Sequence, residues 1–197
     1  MPTALSADAL DQIFREAHTA HAFTAQPLDD AMLRALVDLL KWGPTSMNCQ
    51  PMRLAFVRSA EAKARLSPAL SSQNRKKALG APVVAILAYD MRFFEHLPTQ
   101  APRSPKARDT FAANAELAAV TALRNSSLQG AYLIVAARML GLGAGPMSGF
   151  DAALVDAAFF PDGRFKSNFL VNLGYADPAG YRPRNPRLAF DEMARIV

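Results

Sequence analysis

Histidine, cysteine, serine and carboxylate side chains are what a protein usually uses for its own chemistry, and here their spacing fits none of the common mechanisms. The three histidines, His18, His21 and His96, do not share a helical face as metal ligands would, and His18 and His21 make only a weak i, i+3 pair. Cys49 is the single cysteine, which excludes an intramolecular disulfide and a Cys/His cluster. Met147-Ser148-Gly149 lacks the first glycine of a G-x-S-x-G nucleophile elbow. There is no Walker A sequence, and Gly141-x-Gly143-x-Gly145 follows a helical stretch rather than a strand. No metal and no protein-borne catalytic group are therefore expected. Either the chain is not an enzyme, or a bound cofactor does the chemistry.

The polar groups that remain cluster at the boundaries of predicted elements. Pro44-Thr45-Ser46-Met47-Asn48-Cys49-Gln50-Pro51 sets hydroxyls and amides between prolines, as either a binding loop or a capping loop would. Asn74-x-x-Lys77 puts an amide and an ammonium one helical turn apart before a buried strand, or else forms a solvated helix face. Asn125, Ser126, Ser127 and Gln129 fall within an apolar helix, where each amide needs a partner, an interhelical hydrogen bond being the plain alternative to a ligand. Arg184 and Arg187 read equally as tail charges.

The elements that must position these groups follow from periodicity. Leu10, Ile13, Phe14 and Ala17 behind Ser6 predict a helix of about four turns. Leu33, Leu36, Val37 and Leu40 behind Asp29 predict a second, stopped at Trp42-Gly43-Pro44. Leu54 to Val57 suits a short strand, and Ser59 caps another helix. Val83 to Tyr89 is a continuous apolar run, the signature of a strand buried on both faces. Asp90 to Arg108 carries Pro98, Pro102 and Pro105 and reads as a long irregular segment bearing Phe93 and Phe94, of the kind that often serves as a lid. Asn114 to Leu140 predicts a long central helix, with Leu128, Tyr132, Val135 and Met139 along one side and its symmetry mate as a candidate partner. Gly141 is its C-cap, and Gly143-Ala144-Gly145-Pro146 offers bare backbone for a close approach. A short helix from Asp151, a strand over Phe169 to Tyr175 and a basic tail with Arg182, Arg184 and Arg187 complete the chain.

Composition bounds the class. With 197 residues, 51% of them hydrophobic, the chain is a single domain rather than a disordered segment, and its size should hide about 70% of the extended-chain surface. The apolar share sits above the ~45–50% of ordinary domains, which points to surface covered by a partner. No apolar stretch reaches the ~20 residues of a membrane span, and no basic leader precedes one, so a cytoplasmic protein is expected, with no membrane partner. The net charge of +5 is scattered over 22 Lys and Arg, with no basic arm for nucleic acid.

Taken in order, Lys41-Trp42-Gly43-Pro44-Thr45-Ser46-x-Asn48-Cys49, Pro68-Ala69-Leu70-Ser71-Ser72-x-Asn74-x-x-Lys77, Arg124-Asn125-Ser126-Ser127 and Gly145-Pro146-Met147-Ser148-Gly149-Phe150-Asp151 resemble the nitroreductase family of FMN-dependent oxidoreductases, closest to its malonic semialdehyde reductase group. The resemblance covers nearly the whole chain. It implies an α+β fold, a mostly antiparallel sheet wrapped by helices, in an intertwined homodimer with FMN at the subunit interface. Ser46 and Asn48 would then reach the FMN bound mainly by the other subunit. Asn74 and Lys77 match positions at the N1, O2 and N3 edge of the flavin, and Asn125 a central-helix amide beside the ring. Pro146, Ser148 and Gly149 match the loop whose backbone passes N5 and O4, and Arg187, with Arg184 nearby, the C-terminal grip on the phosphate.

Two departures stand out. The family's first motif is Arg-rich, whereas here the stretch is Ala17-His18-Thr19-Ala20-His21-Ala22-Phe23, so His18, Thr19 and His21 are the candidates for that contact. Ser148 stands where many relatives have Glu. The resemblance implies ping-pong hydride transfer from NADH or NADPH through flavin N5 to a small-molecule acceptor, with reduction of malonic semialdehyde to 3-hydroxypropionate as the specific expectation. A quinone or nitroaromatic acceptor, or a flavin-binding protein without turnover, are the alternatives.

Overall fold

The structure is a computed structural model that describes residues 3–197. Its elements run α1 (Ala7–Leu10), α2 (Asp30–Leu40), β1 (Met52–Val57), α3 (Ala60–Leu66), α4 (Ser72–Gly80), β2 (Val83–Asp90), α5 (Leu97–Gln100), α6 (Ala107–Ala112), α7 (Ala115–Met139), β3 (Gly143–Met147), α8 (Ala152–Phe159), β4 (Phe165–Gly174) and α9 (Phe190–Met193). The four strands form one fully antiparallel sheet in the order β1-β2-β4-β3. The α+β class expected from the sequence is the class observed.

The buried run in β2 explains the layering. Alternate side chains of a strand point to opposite faces, so Val83, Ala85 and Leu87 meet Leu33, Leu36 and Leu40 of α2 and Leu133, Ala136 and Ala137 of α7. Val84, Ile86 and Ala88 face the other way, onto Leu66 of α3, Ala78 of α4 and Val155 of α8. Helices cover both faces, as a strand apolar at every position requires. Gly130 lets α7 lie close to the sheet, since a Cβ there would sit 2.4 Å from the Phe169 ring. Caps fall where the sequence puts them: the Asp29, Ser59, Asn114 and Asp151 side chains accept first-turn N–H groups. Gly141, at φ +75, closes α7 while the Leu142 N–H donates to the Ala137 carbonyl at 2.8 Å.

Two expectations are corrected. The N-terminal helix is shorter than four turns, because α1 runs into a wide turn at Asp11–Arg15 and then leaves the helical path. Ile13 is buried there, but Phe14 is 56% exposed. What ends it is the sheet: Thr19 makes a parallel bridge to Ala144, and the Ala20 N–H donates to the Ala144 carbonyl at 3.1 Å. The Asp90 to Arg108 segment is only partly irregular: a helical turn at Phe93–His96, α5 and the start of α6 make up about half of it, while residues 101–106, with Pro102 and Pro105, are irregular as expected. Pro98 lies in the first turn of α5, where its missing N–H costs nothing. Phe93 and Phe111 are core residues with ring centroids 5.0 Å apart, packed with Leu97, Ala107 and Cys49 against the start of α7. A buried carboxylate ties the segment down. Asp90 accepts from Arg53 at 2.9 Å, from both Nε and Nη2 of Arg164 at 2.9 and 2.8 Å, and from the Arg92 N–H at 2.8 Å.

Candidate functional site

The bare backbone of β3 positions the N-terminal candidates. A Cβ on Gly145 would lie 2.5 Å from the Ala20 carbonyl oxygen, and one on Gly143 would meet Ala20 and Ala176, so only glycine lets residues 19–20 cross here. That crossing carries His18, Thr19 and His21 into the wall of a cavity of about 420 Å³, which Arg184 and Arg187 close from the C-terminal tail. His18 is stacked on Tyr181 with ring centroids 4.9 Å apart, and Arg184 donates to the Ala17 carbonyl at 3.0 Å. Arg138 and Arg182 also line the cavity, and no Asp or Glu does. Four arginines facing a space with no carboxylate make an anion site, with the fork geometry that suits phosphate. Its lining leans polar, which excludes a purely apolar ligand.

A second group lies at the start of α4, outside the residues that line the cavity. Asn74 donates through Nδ2 to the Gly149 carbonyl at 3.1 Å, and the Ser71 N–H donates to the same oxygen at 3.1 Å. This fixes the start of α4 to the loop after β3 that holds Ser148 and Gly149, with Pro146 in the last residues of β3 itself. A Cβ on Gly149 would come within 2.6 Å of the Asn74 amide nitrogen, so the contact depends on glycine. Lys77 lies one turn further along α4. Burial, then the charge of Lys77 and then that of Arg182, push the His21 imidazole below its ordinary value. Lys77 thus belongs to the same electrostatic neighbourhood as the anion cavity.

Ser46, Asn48 and Asn125 form a separate group. The Ser46 N–H donates to Asn125 Oδ1 at 2.8 Å, and Asn125 Nδ2 donates back to the Thr121 carbonyl within α7. Asn48 donates to the Gln100 carbonyl at 2.9 Å. Met47, Asn48 and Gln50 all have positive φ, at 53, 53 and 39, a conformation that non-glycine residues hold only when their surroundings impose it. Gln129 helps impose it by accepting the Met52 N–H at 3.0 Å, one turn beyond Asn125. Arg138 lies thirteen positions beyond Asn125 on α7, about 20 Å of helix. Within one chain, therefore, these three residues do not meet the anion cavity. Cys49, buried beside this loop, has its thiol pushed up to about 11, chiefly by burial, which leaves it inert as a nucleophile.

The sequence and the fold match one family. A model of the nitroreductase family fits residues 14–175. The chain belongs to the nitroreductase family. A Burkholderia lata protein carrying the provisional name NADH dehydrogenase/NAD(P)H nitroreductase is 60% identical over 194 residues, covering 98% of this chain and 99% of that one. A Stenotrophomonas maltophilia protein of the same provisional name is 57% identical over the full length of both. Among solved structures, a provisionally named nitroreductase from Bacillus subtilis superposes with a TM-score of 0.85 at 18% identity, over 98% of this chain and 100% of its own. One from Exiguobacterium sibiricum, solved in complex with FMN, gives 0.84 at 20% identity over the whole of both chains. At those identities the likeness is one of fold.

Family membership does not reveal every residue of the site. Arg138 escapes sequence reading because a basic residue in the last turn of a helix is what the helix dipole favours anyway. Arg182 reads as one more tail charge. Among the described residues no three His, Cys, Asp or Glu side chains gather as a metal site, and no helix is long and apolar enough to cross a membrane.

Proposed function

We propose that the chain is an FMN-dependent NAD(P)H oxidoreductase that works as a homodimer, with malonic semialdehyde as its acceptor. The observation that carries the flavin reading is the cavity lined by four arginines and no carboxylate. FMN bears a phosphate dianion at one end, and the lining supplies unpaired cations and donors for it. His18, Thr19, His21, Arg184 and Arg187 would hold the phosphate. Asn74 and Lys77 would hold the polar edge of the ring, and the backbone at Pro146, Ser148 and Gly149 would pass its other side. When bound, FMN supplies two-electron chemistry, accepting a hydride from NADH or NADPH and returning it to an acceptor. Lys77 contributes a fixed positive charge where electron density accumulates on reduction.

The homodimer is supported by an unpartnered face. On α7, Leu128 is 49% exposed, Tyr132 44% and Met139 50%, and in the tail Leu188 and Phe190 are each 60% exposed. A second copy is the occupant that suits these surfaces, because it would also bring Ser46, Asn48 and Asn125 to a site that one chain leaves without them. The collinear motifs support the aldehyde. A quinone or nitro acceptor is the second reading, favoured by the names that the Burkholderia and Stenotrophomonas relatives carry.

Purified protein should be yellow, and should oxidise NADH or NADPH in the presence of malonic semialdehyde with release of 3-hydroxypropionate. Catalytic efficiency measured on the aldehyde, a quinone and a nitroaromatic with one preparation decides the acceptor. A colourless protein that takes up no FMN would overturn the flavin reading.

A further inference from the structure

The anion cavity contains a residue that the sequence motifs do not mark. Arg138 stands in the last turn of α7, opposite the N-terminal stretch that carries histidines instead of arginines, and its guanidinium reaches the wall shared by His18, Arg184 and Arg187. Nη1 is anchored, donating to the Ile13 carbonyl at 2.9 Å in the wide turn at Asp11–Arg15. Nε is buried and has no acceptor among the described residues. Nor does any carboxylate there pair with Arg138, Arg182, Arg184 or Arg187. A guanidinium set in a cavity wall with no carboxylate beside it is short of acceptors, and a bound oxyanion supplies them.

We propose that Arg138 is a phosphate-holding residue of the cofactor site, supplying from α7 the guanidinium that the His18-Thr19-Ala20-His21 segment does not. This rests on the FMN reading of the cavity and goes further by naming the donor. The anchored Nη1 holds the guanidinium in the cavity wall, so a ligand meets it there with little further loss of side-chain freedom. Burial and the charge of Arg184 both act against the Arg138 cation, and an anion between the two offsets both. The same arrangement couples cofactor binding to the N-terminal segment, since Arg138 and Arg184 each hold a carbonyl of it, at Ile13 and Ala17.

Titrating apoprotein with FMN and with riboflavin, which lacks the phosphate, tests the assignment through flavin fluorescence. Wild type should bind FMN far more tightly than riboflavin. Arg138→Gln should weaken FMN by about 10- to 100-fold, the worth of a charged hydrogen bond, with riboflavin unchanged. Equal losses for both flavins would make Arg138 only a brace for Ile13 and overturn the proposal, as would unchanged FMN affinity. If Arg138→Gln does not fold, Arg138→Lys, which keeps a donor for Ile13, should still lose FMN selectively. A wild type that binds both flavins equally would instead refute the phosphate reading of the cavity itself.

Discussion

The Ser46 backbone N–H donates to the Asn125 side-chain oxygen at 2.8 Å and so ties the loop between α2 and β1 to the middle of α7. Asn125 is 2% exposed, and no water reaches it as a substitute partner. Its neighbour one turn on, Gln129, holds the far end of the same loop at Met52. The positive-φ residues between them are therefore clamped from both sides by a single helix.

That clamp gives the first expected outcome. Asn125→Leu keeps the volume but leaves the Ser46 N–H without its acceptor, at a cost of about 1–3 kcal/mol. Chemical denaturation should show this loss, and FMN affinity should fall as well, because the loop carrying Ser46 and Asn48 is released. Full stability with weakened FMN would place Asn125 at the ligand alone.

Gly149→Ala should act on Asn74. The added Cβ would lie 2.6 Å from the Asn74 amide nitrogen and 3.0 Å from the Ser71 hydroxyl, so the side chain must swing off the Gly149 carbonyl. An exposed loop with a neutral hydrogen bond is worth about 1 kcal/mol, so FMN affinity should drop roughly three- to tenfold with little change in the melting temperature. Asn74→Ala should give a similar deficit, and adding it to Gly149→Ala should cost little more.

Much of this was legible in the residues themselves, and the reasons differ by element. Helix α2 was legible at both ends because Asp29 caps it and Pro44 follows it, and β2 because nothing polar interrupts Val83 to Tyr89. The helical parts after β2 are not legible because proline looks the same in a sequence whether it breaks a helix or begins one, and Pro98 begins one. The end of the first helix is not legible because the glycines that draw Thr19 to Ala144 lie more than 120 residues away. Of the residues lining the anion cavity, the resemblance names His18, Thr19, His21, Arg184 and Arg187 as candidates, while Arg138 and Arg182 stay hidden because the end of a helix and a basic tail each give a cation a local reason to be there. Asn125 and Gln129 were legible as amides needing partners, but not that both partners lie in one loop.

Lys77 gives a kinetic expectation. A fixed cation beside the ring acts mainly on charge that develops during reduction, so Lys77→Met should slow flavin reduction by NAD(P)H on the order of a hundredfold. On the proposed reading FMN binding should fall much less, because the arginines would hold the phosphate. Stopped-flow absorbance during the reductive half-reaction, set beside equilibrium titration, separates the two. Unchanged reduction with weakened binding would move Lys77 to a purely anchoring role.

Asp90 links pH to stability. Burial alone would raise its carboxyl, but hydrogen bonds from Arg164 and the Arg92 N–H, with the charges of Arg53 and Arg164, outweigh burial and hold it below the usual carboxylate range. A folded-state value below the unfolded one means that the ionised form stabilises the fold. That contribution is complete above the unfolded value, about 3.9, and is lost as pH falls through the folded one. Asp90→Asn removes the charge while Arg53 and Arg164 stay, and because both arginines keep some solvent contact the cost should be about 2–4 kcal/mol at neutral pH. Denaturation midpoints measured from pH 7 down to about pH 2 should run parallel above the unfolded value and draw together below it, with the steeper acid decline in wild type. Curves parallel over the whole range would mean that carboxylates other than Asp90 set the acid limit.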